Sequence, residues 1–328
     1  MPNALAFNAR RRHPGSALPI TPGASSTIRS DIIRGLGHER ANISPKYFYD
    51  LPGSELFERI TRLPEYYLTR TESAIMAAHG AEIARCLGIG RTVIELGAGS
   101  CEKARRLCRL IRPARFVAVD IAAEYLHMAA AGFRAACPDL EVRPVVADLT
   151  TDLAMPEDLP RAGRVVFYPG SSIGNFDPPQ AAAILSRVRD LLDDDGALLI
   201  GVDLVKDADV LEAAYNDAAG VTAAFNLNIL SHVNHLIASD FDLGQWRHRA
   251  FFNPAQSRVE MHLEAITGVA VRWPGGSRKF LAGESIHTEH SYKFRVEDFL
   301  AFLAGIGLHR IALWTDPRHW FAVVLAGP

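Results

Sequence analysis

Between residues 92 and 202 the chain alternates short apolar runs with helical segments, and that alternation confines it to few architectures. Residues 92–96, 116–120, 142–147, 165–168 and 197–202 are predicted strands. Residues 101–110, 122–136 and 179–192 carry helical spacing. Strands joined by short loops through intervening helices form a mostly parallel sheet, because a parallel pair needs a crossover of that length. Most of the runs are continuously apolar, as a sheet covered by helices on both faces requires. The fold class predicted is α/β.

The flanking segments break this rhythm. Residues 1–28 mix proline, glycine, serine and arginine without periodicity and are expected to be a mobile tail. A short helix is expected over 30–37, capped by Ser30 or Asp31, and another after Ser54 with Leu56, Phe57 and Ile60 on its apolar face. A third spans 71–87. Beyond Val205 the alternation stops: residues 206–240 read as helical from Asp207 or Asp209, and 247–281 as extended pieces broken by Pro254, Pro274 and Gly275-Gly276. A helix over 296–306 and strands over 308–315 and 320–326, joined at Asp316-Pro317, are expected to return to the sheet begun at Thr92.

At 328 residues the chain has room for about two domains. Lys and Arg number 35 against 37 Asp and Glu. The near-neutral balance provides no basic stripe for a nucleic acid and no polybasic patch for an anionic membrane. Cys86, Cys101, Cys108 and Cys137 form no Cys-x-x-Cys pair, so reduced thiols in a cytoplasmic protein are expected. His287-Thr288-Glu289-His290 has no further ligand at useful sequence spacing, and no metal is predicted.

Chemistry enters at Gly97-Ala98-Gly99, which ends the first predicted strand. Glycines there let the backbone approach a ligand at the following helix, and in an open parallel sheet cofactors lie beyond the strand C-termini. Asp120 closes the second strand, where a carboxylate can take both hydroxyls of a ribose. Asp148 closes the third, placed to meet an adenine amino group. Glu102 stands where a third glycine would serve a diphosphate. An adenosyl sulfonium cofactor suits this loop better than a nicotinamide dinucleotide.

With Asp120 and Asp148, Glu95-Leu96-Gly97-Ala98-Gly99-Ser100 resembles a class I methyltransferase using S-adenosylmethionine. Longer motifs narrow the resemblance: Ser44-Pro45-Lys46-Tyr47-Phe48-Tyr49-Asp50, Leu63-Pro64-Glu65-Tyr66-Tyr67, Gly170-Ser171-x-Ile173-Gly174-Asn175, Asp203-Leu204-Val205-Lys206-Asp207, Thr288-Glu289-x-Ser291-x-Lys293-Phe294 and Trp314-Thr315-Asp316-Pro317. In this order, from about residue 31 to the C-terminus, they are similar to the histidine Nα-methyltransferases of ergothioneine biosynthesis.

That resemblance implies a Rossmann-like methyltransferase core over 70–205 and 294–328. It also implies a second, α+β substrate-binding lobe from residues 29–69 and 206–293. It implies three methyl transfers to the α-amine of L-histidine, giving hercynine. Gly97, Lys103, Asp120 and Asp148 would hold S-adenosylmethionine. Tyr49 would sit at the accepting amine, Asn175 and Tyr215 would bind the carboxylate, and Tyr66, Glu289 and Ser291 would grip the imidazole, with Met261 and Thr222 lining the pocket. A monomer is the working expectation. Two alternatives stay open: another aromatic amino acid such as tryptophan as substrate, and a cofactor-binding regulatory protein without turnover. In an extended segment Glu289 and Ser291 share a face and His290 points away.

Overall fold

The computed structural model describes residues 22–328 apart from Asp152; residues 1–21 of the expected tail lie outside it. The first helix, α1 (Pro22–Gly37), begins well before Ser30, so residues 22–28 of the expected tail are helical instead. Proline is well suited to a first helical turn, where its missing N–H costs nothing. Asp31 is therefore not a cap. It accepts a hydrogen bond from the Tyr47 hydroxyl at 2.8 Å and pairs with Lys46 at 3.2 Å. Helix α2 (Leu51–Ile60) is capped by Asp50, which accepts from Gly53 N, and Ser54 is buried inside the helix. Helix α3 (Tyr67–Leu87) starts one turn earlier than predicted.

The predicted alternation is realised as β1 (Thr92–Leu96), α4 (Glu102–Ile111), β2 (Arg115–Asp120), α5 (Ala123–Ala136), β3 (Glu141–Val146), β4 (Arg164–Tyr168), α6 (Pro178–Leu191) and β5 (Ala197–Asp203). Next come α7 (Ala208–Ala213), capped by Asp207, and α8 (Val221–Ile237). The extended region is β6 (Trp246–Asn253), β7 (Arg258–Ala265), β8 (Val269–Trp273), β9 (Gly276–Phe280) and β10 (Ser285–Tyr292). Helix α9 (Val296–Gly305), β11 (His309–Thr315) and β12 (Phe321–Gly327) close the chain.

The large sheet has the order β11-β12-β5-β4-β1-β2-β3, parallel from β5 to β3, with β12 antiparallel to both its neighbours. The last helix and two strands thus rejoin the sheet as expected. Pleating divides its apolar side chains between two cores. Val93, Phe116, Phe167 and Leu199 face α3, α4 and α5, whereas Ile94, Val117, Val166 and Ile200 face α6 and α9. The first core continues without a break into α8 and a smaller antiparallel sheet, β10-β7-β6. Backbone hydrogen bonds of Ala41 and Ile43 with His287 bring the chain after α1 onto the outer edge of β10. Among the described residues no helix is long and apolar enough to cross a membrane.

Strand β10 carries one irregularity. His287 faces His262 and Glu289 faces Met261, so Thr288 is the extra residue of a bulge. It is fully buried, and its hydroxyl is held between Asn226 Oδ1 at 2.7 Å and the Met261 carbonyl at 3.0 Å.

Candidate active site

A large cavity opens beyond the C-terminal ends of β1, β2 and β4 and runs to the inner face of the small sheet. Its lining includes all twelve residues singled out from the sequence: Gly97, Lys103, Asp120, Asp148, Asn175, Tyr49, Tyr66, Tyr215, Thr222, Met261, Glu289 and Ser291. Strand ends supply one wall. Met261, Glu289 and Ser291 on the small sheet, with Thr222 of α8, supply the opposite one.

At the strand ends, Asp120 is held in place by two backbone amides, Gly99 N at 2.8 Å and Ala122 N at 2.9 Å, one on each carboxylate oxygen. Each oxygen keeps a lone pair for a further donor. Gly97, at φ +67°, turns the chain where a side chain would be strained. Asp148 accepts from Thr150 N at 2.9 Å and from its hydroxyl at 2.6 Å, and Lys46 lies 3.5 Å away. Lys103 reaches back over the loop after β4 to pair with Glu72 at 2.8 Å. Glu72 also accepts from Gly170 N at 2.9 Å. Gly170, at φ +79°, lies so close that a Cβ there would be 2.7 Å from the Lys103 ammonium.

The far end is aromatic and deeply buried. Tyr66 and Tyr215 meet edge-to-face at 6.4 Å, and Tyr49 packs on Phe57 and Phe225. Burial drives the hydroxyl pKa of Tyr49, Tyr66 and Tyr215 upward, reinforced by the nearby Glu289 carboxylate and, at Tyr66, first by Tyr215. These phenols are neutral at physiological pH. Burial also raises Glu289, to about 7, against the opposing pull of the Lys293 charge.

The bulge at Thr288 gives the small sheet its two distinct faces. Glu289 and Ser291 line the cavity, while His290 lies with His287 on the reverse, 5.5 Å between ring centroids. Tyr47 and Phe48 are packing residues: Tyr47 bonds Asp31, and Phe48 stacks on Phe225 at 4.4 Å.

Two residues that sequence reasoning did not assign stand directly behind the cavity. The Lys293 side chain is wholly buried. Its ammonium donates to Ser291 Oγ at 2.8 Å and Tyr215 Oη at 3.1 Å, and lies 3.0 Å from Asp203 Oδ2. Asp203, at the end of β5, also accepts from Tyr67 Oη at 2.7 Å and Lys206 Nζ at 2.6 Å. A signal for Lys293 was available, since a lysine two positions beyond Ser291 falls on the same face of extended chain. Nothing local marked Asp203 as its partner.

A family model described as "Histidine-specific methyltransferase, SAM-dependent" matches residues 28–328. The chain is 43% identical over 310 residues to a histidine N-alpha-methyltransferase of Mycolicibacterium smegmatis, covering 92% of this chain and 95% of that one. It is 40% identical over 306 residues to the protein of the same name from Mycobacterium tuberculosis, covering 91% and 94%. Ergothioneine biosynthesis protein 1 of Neurospora crassa is 31% identical over 300 residues, 85% of this chain but only 32% of that longer protein. Among solved structures, an S-adenosylmethionine-dependent methyltransferase from Clostridium acetobutylicum superposes with a TM-score of 0.50 at 13% identity, covering 83% of this chain and 98% of that one, which establishes likeness of fold. The sheet order, the glycine turn above β1 and these matches agree, and the chain belongs to the histidine-specific, S-adenosylmethionine-dependent methyltransferase family.

Proposed function

We propose that this enzyme trimethylates the α-amino group of L-histidine to hercynine, the methylation step of ergothioneine biosynthesis, in the cytoplasm. The observation carrying the reading is the pairing, on one strand, of a buried carboxyl and a hydroxyl, Glu289 and Ser291, across the cavity from the Asp120 end. In this reading residues 70–205 and 294–328 form the cofactor domain, and residues 29–69 with 206–293 form the substrate lobe.

The donor set fits an adenosyl sulfonium. The Asp120 carboxylate, aligned by Gly99 and Ala122, retains lone pairs for a vicinal diol. Asp148 accepts from an exocyclic amine, and the Lys103 ammonium meets an amino-acid carboxylate. S-adenosylmethionine, when bound, supplies a methyl carbon activated by positive sulfur. The remaining chemistry is orientation, because in-line displacement needs the amine lone pair aimed along the methyl–sulfur axis. Such alignment is worth up to about 7–11 kcal/mol.

Histidine is read at both ends. Glu289 and the hydroxyls of Ser291 and Tyr66 satisfy the donor and acceptor nitrogens of the ring. Asn175 and Tyr215 donate to the carboxylate without adding a full positive charge next to a sulfonium. Tyr49, kept neutral by burial, accepts a hydrogen bond from the amine in the first two transfers, while an N–H remains, and orients its lone pair. The α-amine of a free amino acid titrates above the ~7.7–8.0 of a chain-terminal amine, and burial beside a positive sulfur lowers it toward neutrality, so no strong base is needed. Neutral hydroxyl contacts also accommodate the added bulk of each methyl group better than a carboxylate clamp.

An indole offers one donor and no ring acceptor, leaving part of the Glu289–Ser291 pair unsatisfied, and tryptophan is the weaker substrate for that reason. The deciding experiment is mass spectrometry of the products after incubation with S-adenosylmethionine and equimolar histidine and tryptophan. Trimethylated histidine is expected. Preferential methylation of tryptophan, or binding without turnover, overturns the reading.

A further inference from the structure

The reverse face of the small sheet collects side chains that the methyl-transfer chemistry does not use. His262 on β7 stands directly opposite His287 on β10, and Glu260 stands opposite His290. Without the bulge at Thr288, residues 287 and 289 would share a face. With it, His287 and His290 both fall on the side of Glu260 and His262. The sequence offered no third ligand near 287–290. Cross-strand register supplies two, His262 and Glu260, from β7.

The geometry of this cluster is that of a ligand set. One ligand atom from each of Glu260, His262 and His287 lies within 4.8 Å of those of the other two. The His262 Nε2 to Glu260 Oε2 separation is 3.0 Å. Around a tetrahedral ion with bonds of ~2.0–2.1 Å, neighbouring ligand atoms stand roughly 3.3 Å apart. That one edge opens by a few tenths of an ångström, and no other edge needs to close by more than about 1.5 Å, within reach of side-chain rotation. The carboxylate is already oriented: Glu260 Oε1 accepts from Asn253 at 3.0 Å and Arg258 at 2.9 Å, leaving Oε2 toward the histidines.

A second observation separates this cluster from a stack of rings. Buried polar atoms are almost always paired. Among the described residues His287 Nε2 and both ring nitrogens of His290 are buried without a hydrogen-bond partner, and Asp177 Oδ1 stands 3.7 Å from His290 Nε2. Ring packing alone would not leave imidazole nitrogens of two adjacent histidines without a hydrogen bond in one place.

We propose that Glu260, His262 and His287 form a binding site for a divalent transition metal ion, with His290 beside it as the nearest candidate for a fourth ligand. Two imidazoles and one carboxylate select a borderline cation such as Zn2+, Co2+ or Ni2+ over Mg2+ or Ca2+, which prefer all-oxygen shells. The ion would clamp β7 to β10 on the reverse of the strand that carries Glu289 and Ser291. It lies on the opposite face of the sheet from the cavity and takes no part in methyl transfer.

Co2+ is the probe, because its visible bands report coordination and a thiolate ligand would add intense charge-transfer absorption. Untagged full-length protein, stripped with chelator, is titrated with Co2+ alone and then with Zn2+. One equivalent with nitrogen/oxygen ligand-field bands and no thiolate band is expected, displaced by Zn2+ and accompanied by a rise in Tm. His262→Gln and His287→Gln should each weaken binding at least about 100-fold and abolish the Tm shift. His287 holds the chain after α1 through main-chain bonds to Ala41 and Ile43, so its substitution leaves those intact. Far-UV circular dichroism checks each variant. In the unmutated protein, paramagnetic broadening that among the histidines is confined to His262, His287 and His290 supports the site without any variant. Absence of saturable binding, binding retained in a folded variant, or broadening of other histidines overturns it.

Discussion

The Lys293 ammonium and the Asp203 carboxylate meet at 3.0 Å, both wholly buried, at the junction between the large sheet and the small one. Asp203 ends a core strand of the large sheet, and Lys293 follows the last strand of the small sheet by one residue. The same ammonium donates to Ser291 and Tyr215. One ion pair therefore ties the two sheets together and fixes two groups at the proposed histidine site.

Removing one partner leaves buried charge uncompensated, which costs about 3–5 kcal/mol. Lys293→Met should fall near the lower end, because Asp203 retains Lys206 and Tyr67. Denaturant unfolding should show little recovery in the double variant Asp203→Asn/Lys293→Met, because Lys206, also buried, then loses its own carboxylate partner. The KM for histidine should stay raised in the double variant, since Ser291 and Tyr215 still lack their donor.

Glu289 links pH to stability as well as to binding. Its carboxyl is raised from 4.5 to about 7, so the folded state holds this proton more tightly than the unfolded one. Its contribution is most favourable below about pH 4.5 and declines as pH rises to about 7. Glu289→Gln abolishes that decline. Relative to the parent, the unliganded variant should gain about 3 kcal/mol between pH 4 and 8, read by urea unfolding at each pH.

The same group shapes the kinetics. If the ionised carboxylate receives the histidine ring, kcat/KM for histidine rises with pH through about 7 in the parent enzyme. In Glu289→Gln that limb should disappear and KM should increase at least tenfold, while the dissociation constant of S-adenosylmethionine stays the same. A pH–rate profile of both enzymes, with cofactor binding by calorimetry, checks this.

Asp120 is expected to govern the other half of the cavity. Asp120→Asn retains size but loses charge and one acceptor, and both original oxygens also hold backbone amides. Hydrogen bonds to charged groups are worth about 1.5–3 kcal/mol. A loss of roughly 10- to 100-fold in S-adenosylmethionine affinity follows, with histidine affinity in the presence of saturating cofactor product little changed.

Tyr49→Phe separates orientation from binding. The ring keeps its packing on Phe57 and Phe225, and only the hydroxyl is lost. The expected outcome is a kcat reduced about tenfold, worth about 1.4 kcal/mol, with the histidine dissociation constant unchanged. Single-turnover kinetics should show the deficit in the methyl-transfer step.

Several features were readable from local pattern. Apolar runs announced the strands of the large sheet. In a parallel sheet every strand end carrying Gly97, Asp120 or Asp148 must emerge on one edge, so those three residues converge whatever the details of packing. Helix starts were less legible. Ser30, Asp31 and Ser54 are all competent caps by type, yet Asp31 is drawn to Tyr47 and Asp50 takes the cap of α2. A tertiary partner takes Asp31, whereas Ser54 is displaced as cap by a residue four positions before it.

What the sequence determined by itself is therefore the α/β order, the cofactor-side edge and, through its motifs, the family. The tertiary structure decided the rest, because the deciding contacts join residues distant along the chain and spacing carries no information about register between strands. The bulge at Thr288 sends Glu289 and Ser291 into the cavity and His287 and His290 to the opposite face. Pairing of β7 with β10 then assembles Glu260, His262 and His287, and packing of the two sheets brings Lys293 to Asp203 across ninety residues. Each depends on which strand lies beside which, and that is settled only when the whole core closes.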